Sequence, residues 1–311
     1  MKVAVFGASG FVGEYILNEL RNKNHQPYAL VRYGSENKIR NRDDLNIIYG
    51  DFSNPTAVEQ TMLNVEAIIY NVGIIREFKS KGITFEKLHF EYLKKTVDMA
   101  KKLNIKRFIL MSANGVKEVG TGYQTTKYKA EQYLKNSGLN WTIFRPSLIF
   151  GDSVDKQEFC KQLKRDMLSL PFPAPLFHKG ILPLKAGTFR MSPIHVKDVA
   201  TIFVKSLTMD ESISKTFELG GESKTWKEIV KLISDACDKN KVFIPAPVIP
   251  IKIVASLLDR FSWFPISRDQ LTMLLEGNEC DSSDVFELFE IDKPIGFSLD
   301  NLSYLSDEAD E

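Results

Sequence analysis

The stretch VAVFGASGFVGEYILNEL, Val3 to Leu20, constrains this chain more than any other. A run of apolar β-formers ends in three glycines spaced by three, Gly7, Gly10 and Gly13. A helical pattern starts at once, with Val12, Ile16 and Leu20 recurring on one face. Glycine at the first positions permits a tight turn and lets main-chain amides come close to a ligand. The last one lets the helix pack close to the sheet. The start of the helix then offers unpaired N–H groups and the positive end of its dipole, which together attract an anion. Strand, glycine turn and helix in this order predict a unit that cradles the pyrophosphate of a dinucleotide.

The first half continues in the same style. KVAVFGA (2–8), QPYALVR (26–32), LNIIYGD (45–51), EAIIYNVG (66–73), RFILMSA (107–113) and WTIFRPSLIFG (141–151) read as strands. Most are too apolar to alternate, as expected for strands covered on both faces. Amphipathic segments lie between them, including 12–22 and 88–103, the latter with Leu88, Tyr92, Val97 and Ala100 among lysines. Strand–helix alternation with short links predicts an α/β fold, a Rossmann-type doubly wound parallel sheet.

After Gly151 the texture changes to one helix and then a Pro/Phe-rich loop. MSPIHVKDVATIFVKSL (191–207) and FELGG (217–221) return to the sheet-and-helix style, and from Thr225 helices dominate: WKEIVKLISDAC, PIKIVASLLDRF and RDQLTMLLEG. The expected organisation is a dinucleotide-binding domain over 1–151 with a return segment at 190–221. A smaller, mostly helical substrate or lid domain would use 152–189 and 222–305, and 306–311 would be an acidic tail.

Composition narrows the function classes. With 311 residues and 43% hydrophobic content the chain can bury a large core. Its 41 basic and 40 acidic residues leave a net charge of +1, which offers nucleic acid nothing. Cys160, Cys237 and Cys280 are scattered and lack histidines at ligand spacing, so neither a disulfide framework nor a metal site is expected. PAPVIPIKIVASLLDRF, the best membrane candidate, is broken by three prolines and Lys252, so no transmembrane segment is expected. The chain opens directly on a strand pattern, and the expected location is the cytoplasm.

The end of the second strand selects the cofactor. A carboxylate there would bind the ribose 2′-hydroxyl of NAD. This chain has Val31-Arg32-Tyr33, with Lys38 and Arg40 close behind. A guanidinium suits a 2′-phosphate, so NADP(H) is favoured over NAD(H). Asp51 and Phe52 after the third strand would flank the adenine. Asn71, Val72 and Gly73 after the fourth would border the adenosine ribose and pyrophosphate.

Chemistry is offered by GYQTTKYKAEQYLKNSG, where Tyr123 and Lys127 stand four apart on one helical face that continues through Ala130 and Leu134. A buried lysine beside a tyrosine stabilises phenolate and is expected to lower the tyrosine pKa toward neutral. Such a tyrosine can exchange the proton that accompanies hydride transfer at a carbonyl carbon. The lysine could also hold the nicotinamide ribose. Ser112, ending the fifth strand, could hydrogen-bond the same substrate oxygen. His195 and Asp198 in SPIHVKDVA read as structural, and His178 in PFPAPLFHKG as an exposed loop histidine over the substrate.

Taken together, GASGFVG, FILMSANG, the Tyr123/Lys127 pair, WTIFRPSLIFG and SPIHVKDVA resemble the extended short-chain dehydrogenase/reductases. The similarity is greatest to the atypical subgroup of the 39 kDa accessory subunit of respiratory complex I and bacterial epimerase-like relatives. IPIKIVASLLDRFSWFPISRDQLTMLLEGN and GFSLDNLSYL extend it over nearly the whole chain. The resemblance implies that Gly7, Ser9, Gly10, Phe11, Val12 and Gly13 bind pyrophosphate and Arg32 the adenosine phosphate. Tyr123 and Lys127 would be the active pair, with Pro146 and Ser147 near the nicotinamide. Catalytic members also carry a relay asparagine on the helix before the fifth strand. In FEKLHFEYLKKTVDMA there is His89 and no asparagine. Three functions are compatible with these residues. One is an NADP-dependent oxidoreductase or epimerase acting on a small molecule of unspecified identity. The others are a non-catalytic NADPH-binding accessory protein associated with a respiratory complex and a regulator that senses the NADP(H) pool.

Overall fold

The computed structural model describes residues 1–42, 45–153, 156–180, 182–258 and 266–306. The chain begins β1 (Lys2–Phe6), α1 (Phe11–Asn22), β2 (Gln26–Val31), β3 (Asn46–Tyr49), α2 (Pro55–Met62) and β4 (Ala67–Tyr70). It continues with α3 (Tyr92–Lys102), β5 (Arg107–Met111), α4 (Gly122–Lys135) and β6 (Asn140–Pro146). Next come β7 (Ile149–Phe150), α5 (Phe159–Leu163), β8 (Ala174–His178), β9 (Arg190–Met191) and β10 (Ile194–His195). Then follow α6 (Val196–Lys205), β11 (Lys215–Leu219), β12 (Lys224–Thr225), α7 (Trp226–Ala236), β13 (Phe243–Pro247), α8 (Val248–Leu258), α9 (Arg268–Glu276) and α10 (Ser283–Leu288).

Two compact units share this chain. The first comprises Met1–Pro146, Val196–Leu219 and Ser283–Asp292; the second Ser147–His195, Gly220–Ser282 and Lys293–Glu311. In the first, seven parallel strands run in the order β11-β6-β5-β4-β1-β2-β3. This is the doubly wound sheet that the apolar runs predict. Its order reverses between β1 and β4, the place where such sheets open a crevice for ligands. Val3 to Phe6 are fully buried because helices cover both faces. On one face Phe6, Tyr70 and Phe108 pack with Val58 and Met62 of α2, Leu93 and Val97 of α3 and Leu134 of α4. Asn54 caps α2 by accepting from the N–H groups of Thr56 and Ala57, with Pro55 at the first helical position.

Phe144 of β6 gathers Phe203 of α6 at 4.7 Å and Phe289 at 5.8 Å, and Phe217 of β11 lies 5.6 Å from Phe289. This aromatic cluster explains why the segment 283–292 belongs to the first unit and not to the C-terminal one expected from sequence. The return segment is also tighter than expected, 196–219, and the first boundary falls at Pro146. WTIFRPSLIFG is two strands, since the chain leaves the sheet after Pro146 and β7 pairs with β10.

The second unit has α5, α7, α8 and α9 and three strand pairs: β7–β10 and β8–β13, both parallel, and β9–β12, antiparallel. Trp226, Ile229 and Ile233 of α7 form its centre with Phe150, Phe177 and Phe297. The expected Pro/Phe-rich loop therefore contains a strand. A two-stranded pair has two free edges, so prolines at 175, 245 and 247 remove no ladder partner that matters. His178 ends that strand and is buried, correcting its expected place on an exposed loop. Of the acidic tail only Ser306 is described. Residues 259–261 of PIKIVASLLDRF also lie outside the described residues.

Candidate functional site

The glycine turn sits at the β1/β4 reversal. Gly7 has φ +88°, the left-handed region that disfavours side chains. A Cβ there would also lie 2.4 Å from the Asn71 carbonyl oxygen, because Asn71 N–H donates to Phe6 O at 2.9 Å and draws the two strand ends together. At Gly13 a Cβ would lie 2.1 Å from Gly7 O and 2.8 Å from Ala8 O, so the helix presses directly on the turn. Gly10 N–H closes the turn onto Gly7 O at 3.1 Å. No side chain caps α1, which leaves its first-turn N–H groups at Phe11, Val12 and Gly13 to a ligand. This donor set fits a pyrophosphate. Ser9 and Val72 are half-buried beside it, and Gly73 is exposed.

Arg32 follows β2 and is exposed, as is Tyr33, whose ring stacks on Tyr49 at 5.4 Å. Arg40, expected to join the basic edge, is committed to Glu14 at 2.9 Å. The Asp51 carboxyl accepts from Ser53 N–H and Oγ, which hold it below the usual carboxylate range; Arg32 and Lys87 add to this. Phe52 is less available to an adenine than expected. Its ring stacks on Tyr92 at 4.7 Å and packs toward Phe6 and Tyr70. The exposed ring beside Arg32 belongs to Tyr33, a position the sequence reading used only for its lack of a carboxylate.

On α4, started by a capping box of Thr121 and Gln124, Tyr123 and Lys127 come together. Lys127 Nζ donates to Met111 O at 3.2 Å and lies 5.6 Å from the centre of the Tyr123 ring. Burial lowers the Lys127 pKa to about 8, with Glu131 acting in the opposite direction. The Tyr123 phenol is raised, not lowered as the pairing suggested, because its own burial outweighs a cation that sits over the ring. His89 joins the cluster, edge-on to Tyr123 at 5.2 Å and stacked on Phe85 at 5.3 Å.

Both ring nitrogens of His89 are engaged: Nδ1 lies 3.1 Å from Thr126 Oγ1, and Nε2 lies 3.1 Å from Ile74 O and 3.2 Å from Ile74 N. Burial, with Lys127 nearby, pushes the His89 pKa down to about 2. It is a neutral strut joining the segment after β4, itself followed by a π-type turn at Glu86–Glu91, to α4. The strut brings Gly73 to the pair: a Cβ on Gly73 would lie 3.6 Å from Lys127 Nζ and 3.9 Å from His89 Nε2.

Ser112 is oriented elsewhere than expected. Its hydroxyl donates to Glu131 Oε1 at 2.5 Å, and Arg145 grips both oxygens of that carboxylate at 2.9 and 2.6 Å. With its proton directed to a buried carboxylate, Ser112 offers a substrate oxygen no donor. Glu131 is one turn beyond Lys127 on the same helical face; that i, i+4, i+8 series of Tyr, Lys and Glu is the signal that would have found it. Pro146 ends β6 and accepts from Asn114 N–H at 2.9 Å. Ser147 starts the second unit and donates to Asn278 O at 2.6 Å. His195 of β10 lies edge-on to Phe150 at 5.0 Å.

Among the described residues no three His, Cys, Asp or Glu side chains are grouped to hold a metal ion, and no helix is long and apolar enough to cross a membrane. A groove of about 530 Å³ runs along α3 and α4, lined by Phe90, Lys101, Tyr128 and Tyr133 but by neither Tyr123 nor Lys127. The Tyr123–Lys127 pair therefore lies outside that groove. The crevice geometry agrees with a match of residues 7–164 to the NAD(P)H-binding family.

The chain belongs to that family. It is of the extended short-chain dehydrogenase/reductase type. It is 28% identical over 283 residues to the mitochondrial 40 kDa subunit of NADH-ubiquinone oxidoreductase from Neurospora crassa, covering 86% of this chain and 68% of that protein. It is 23% identical over 262 residues to ceramide reductase from Caulobacter vibrioides, covering 84% and 78%. Among solved structures, UDP-glucuronic acid 4-epimerase from Bacillus cereus, bound to UDP-glucuronic acid and NAD, superposes with a TM-score of 0.69. That match has 18% identity and covers 97% of this chain and 96% of the other. The last likeness is one of fold.

Proposed function

We propose that this chain binds NADP(H) in its first unit and reduces a carbonyl carbon of a small molecule, with Tyr123 as the proton donor. The observation that carries the reading is the Tyr123–Lys127 pair, which His89 holds beside Gly73 at the carboxyl ends of the strands. Bound NADP(H) would supply the hydride. The turn from Gly7 to Gly13 and the start of α1 bind the pyrophosphate, with Ser9, Asn71 and Val72 bordering it. Arg32 meets the 2′-phosphate, and Asp51, Phe52 and Tyr33 surround the adenosine. Lys127 hydrogen-bonds the nicotinamide ribose and places positive charge beside the phenol, while Pro146 and Ser147 line the nicotinamide side. Ser112 acts as a positioning residue through Glu131. Burial keeps Tyr123 protonated, which suits delivery of a proton to a developing alkoxide, a stronger base than phenolate. The same property speaks for reduction over epimerisation, which would start with proton removal by this tyrosine.

A second reading, a non-catalytic NADPH-binding accessory protein of a respiratory complex, is favoured by the likeness to the Neurospora crassa subunit and by the capture of Ser112 by Glu131. In that case the bound cofactor stabilises the native state by a few kcal/mol. Calorimetry with NADPH and NADH, followed by NADPH consumption with a panel of ketones and aldehydes, separates the two. The expected result is tighter NADPH, with Tyr123→Phe sparing binding and removing turnover. Undiminished turnover in Tyr123→Phe refutes the catalytic reading; tight binding without turnover in either protein selects the accessory one.

A further inference from the structure

α8 is apolar on two faces, with only Lys252 and Ser256 polar, and only one of the apolar faces is covered. Val248, Ile251 and Ala255, at spacing i, i+3, i+7, pack into the core of the second unit. Ile249, Ile253 and Leu257, at i, i+4, i+8, are 68%, 57% and 65% exposed. A helix exposed to water is normally polar on its outer face; one that is apolar on both faces has a second apolar environment. α8 has 11 residues, about 16 Å at 1.5 Å per residue, half of what a bilayer core requires. It can lie along an interface but cannot span one.

A second exposed apolar segment leaves the same edge. β8 and β13 run parallel with His178 opposite Pro247, so α8, which starts at Val248, and the loop that starts at Lys179 leave from neighbouring strand ends. Gly187 N–H donates to Phe177 O at 2.9 Å, which ties Gly187 to the end of β8. Exposed residues of the loop include Leu182 and Leu184, the latter 83% exposed, flanked by the exposed Lys179 and Lys185. Neither segment carries an acid: Asp and Glu are absent from 167–197 and from 239–258, where the only charged residues are lysines and one arginine.

We propose that α8, together with the exposed Lys179, Leu182, Leu184 and Lys185, forms a docking surface for an anionic lipid bilayer. α8 lies in the headgroup boundary with Ile249, Ile253 and Leu257 directed into the acyl region, and Leu182 and Leu184 insert beside it. Lys179, Lys185 and Lys252 meet the phosphates. Charge complementarity selects this occupant: exposed isoleucine and leucine beside lysines, in two segments that carry no carboxylate of their own, are what a negatively charged leaflet attracts.

The test is co-sedimentation of the full chain with vesicles of phosphatidylcholine alone and of an equal mixture of phosphatidylcholine and phosphatidylglycerol. The variant I253D/L257D is compared in parallel. Both positions are exposed, so its melting temperature stays that of the parent. The expected result is sedimentation with the mixed vesicles only, weakened by added salt. In the variant it falls by more than about tenfold, because two large aliphatic side chains no longer leave water. Equal binding to both vesicle types overturns the charge argument, and equal binding by the variant overturns the role of α8. Absence of binding with a parent dimer that the variant dissolves means that a second copy covers this face, which also refutes the proposal.

Discussion

Replacing Gly13 by alanine sets two effects of opposite sign against each other. Alanine is the better helix former by about 1 kcal/mol, and Gly13 lies inside α1, so propensity alone predicts stabilisation. Close approach predicts the reverse. The new Cβ would stand 2.1 Å from Gly7 O and 2.8 Å from Ala8 O, whereas ordinary carbon–oxygen contacts begin at about 3.3 Å. Both neighbours are backbone atoms of a turn tied to β4, so neither can swing aside as a side chain would. α1 must lift by about 1 Å, which loosens the fully buried Ile16, Leu17 and Leu20. Overpacking of this kind costs about 1–3 kcal/mol and occasionally more. After subtracting the propensity gain, the net loss is up to about 2 kcal/mol, a fall of as much as a few degrees in the melting temperature. Because the first-turn N–H groups move with the helix, NADPH affinity falls at least about tenfold, the equivalent of one charge-assisted hydrogen bond. Thermal melting and calorimetry read the two consequences separately. A variant that melts higher than the parent and binds NADPH as tightly refutes the close-approach reasoning.

Lys127→Met raises stability at neutral pH. Folding lowers the lysine pKa from 10.5 to about 8, so between those values the unfolded chain binds more protons and parent stability rises with pH. Below about pH 8 the folded chain carries the whole penalty of a buried ammonium, at most about 3 kcal/mol; losing the bond to Met111 O leaves a gain of about 1–2 kcal/mol. Denaturant titrations at several pH values check both the gain and its disappearance toward pH 10. Glu131→Ala strands Arg145 and Ser112 and costs about 3 kcal/mol, the lower end for a buried pair because Arg145 is partly wet. A loss below about 1 kcal/mol in the same titration would show that the network contributes little. Arg32→Ala weakens NADPH by about tenfold or more and leaves NADH unchanged, and equal losses for both cofactors would remove Arg32 from the 2′-phosphate. His89 stays neutral down to about pH 2, so it adds no ionisation near pH 6.5 to the pH–rate profile, and a pKa in that range that His89→Asn removes would refute this.

The sheet was legible because its strands are buried on both faces and read as continuous apolar runs. The glycine turn was legible because its spacing answers a steric demand made within a few residues. The second unit was harder to read. Its β8 and β13 are proline-rich and far apart in sequence, and each is a strand only because the other exists. The place of 283–292 in the first unit depends on Phe289 meeting Phe217 and Phe144, the latter nearly half the chain away.

The candidate site divides the same way. Residue identity and helical spacing alone place Tyr123 over Lys127, and a strand followed by GASGFVG alone builds a turn that a pyrophosphate fits. Tertiary structure decided what these groups are. It raised Tyr123, lowered Lys127, neutralised His89 and turned the Ser112 proton toward Glu131. Steric and periodic demands act between near neighbours and are written in the order of residues. Desolvation and hydrogen-bond partnership depend on which distant segments close around a group, and only the folded chain brings those together.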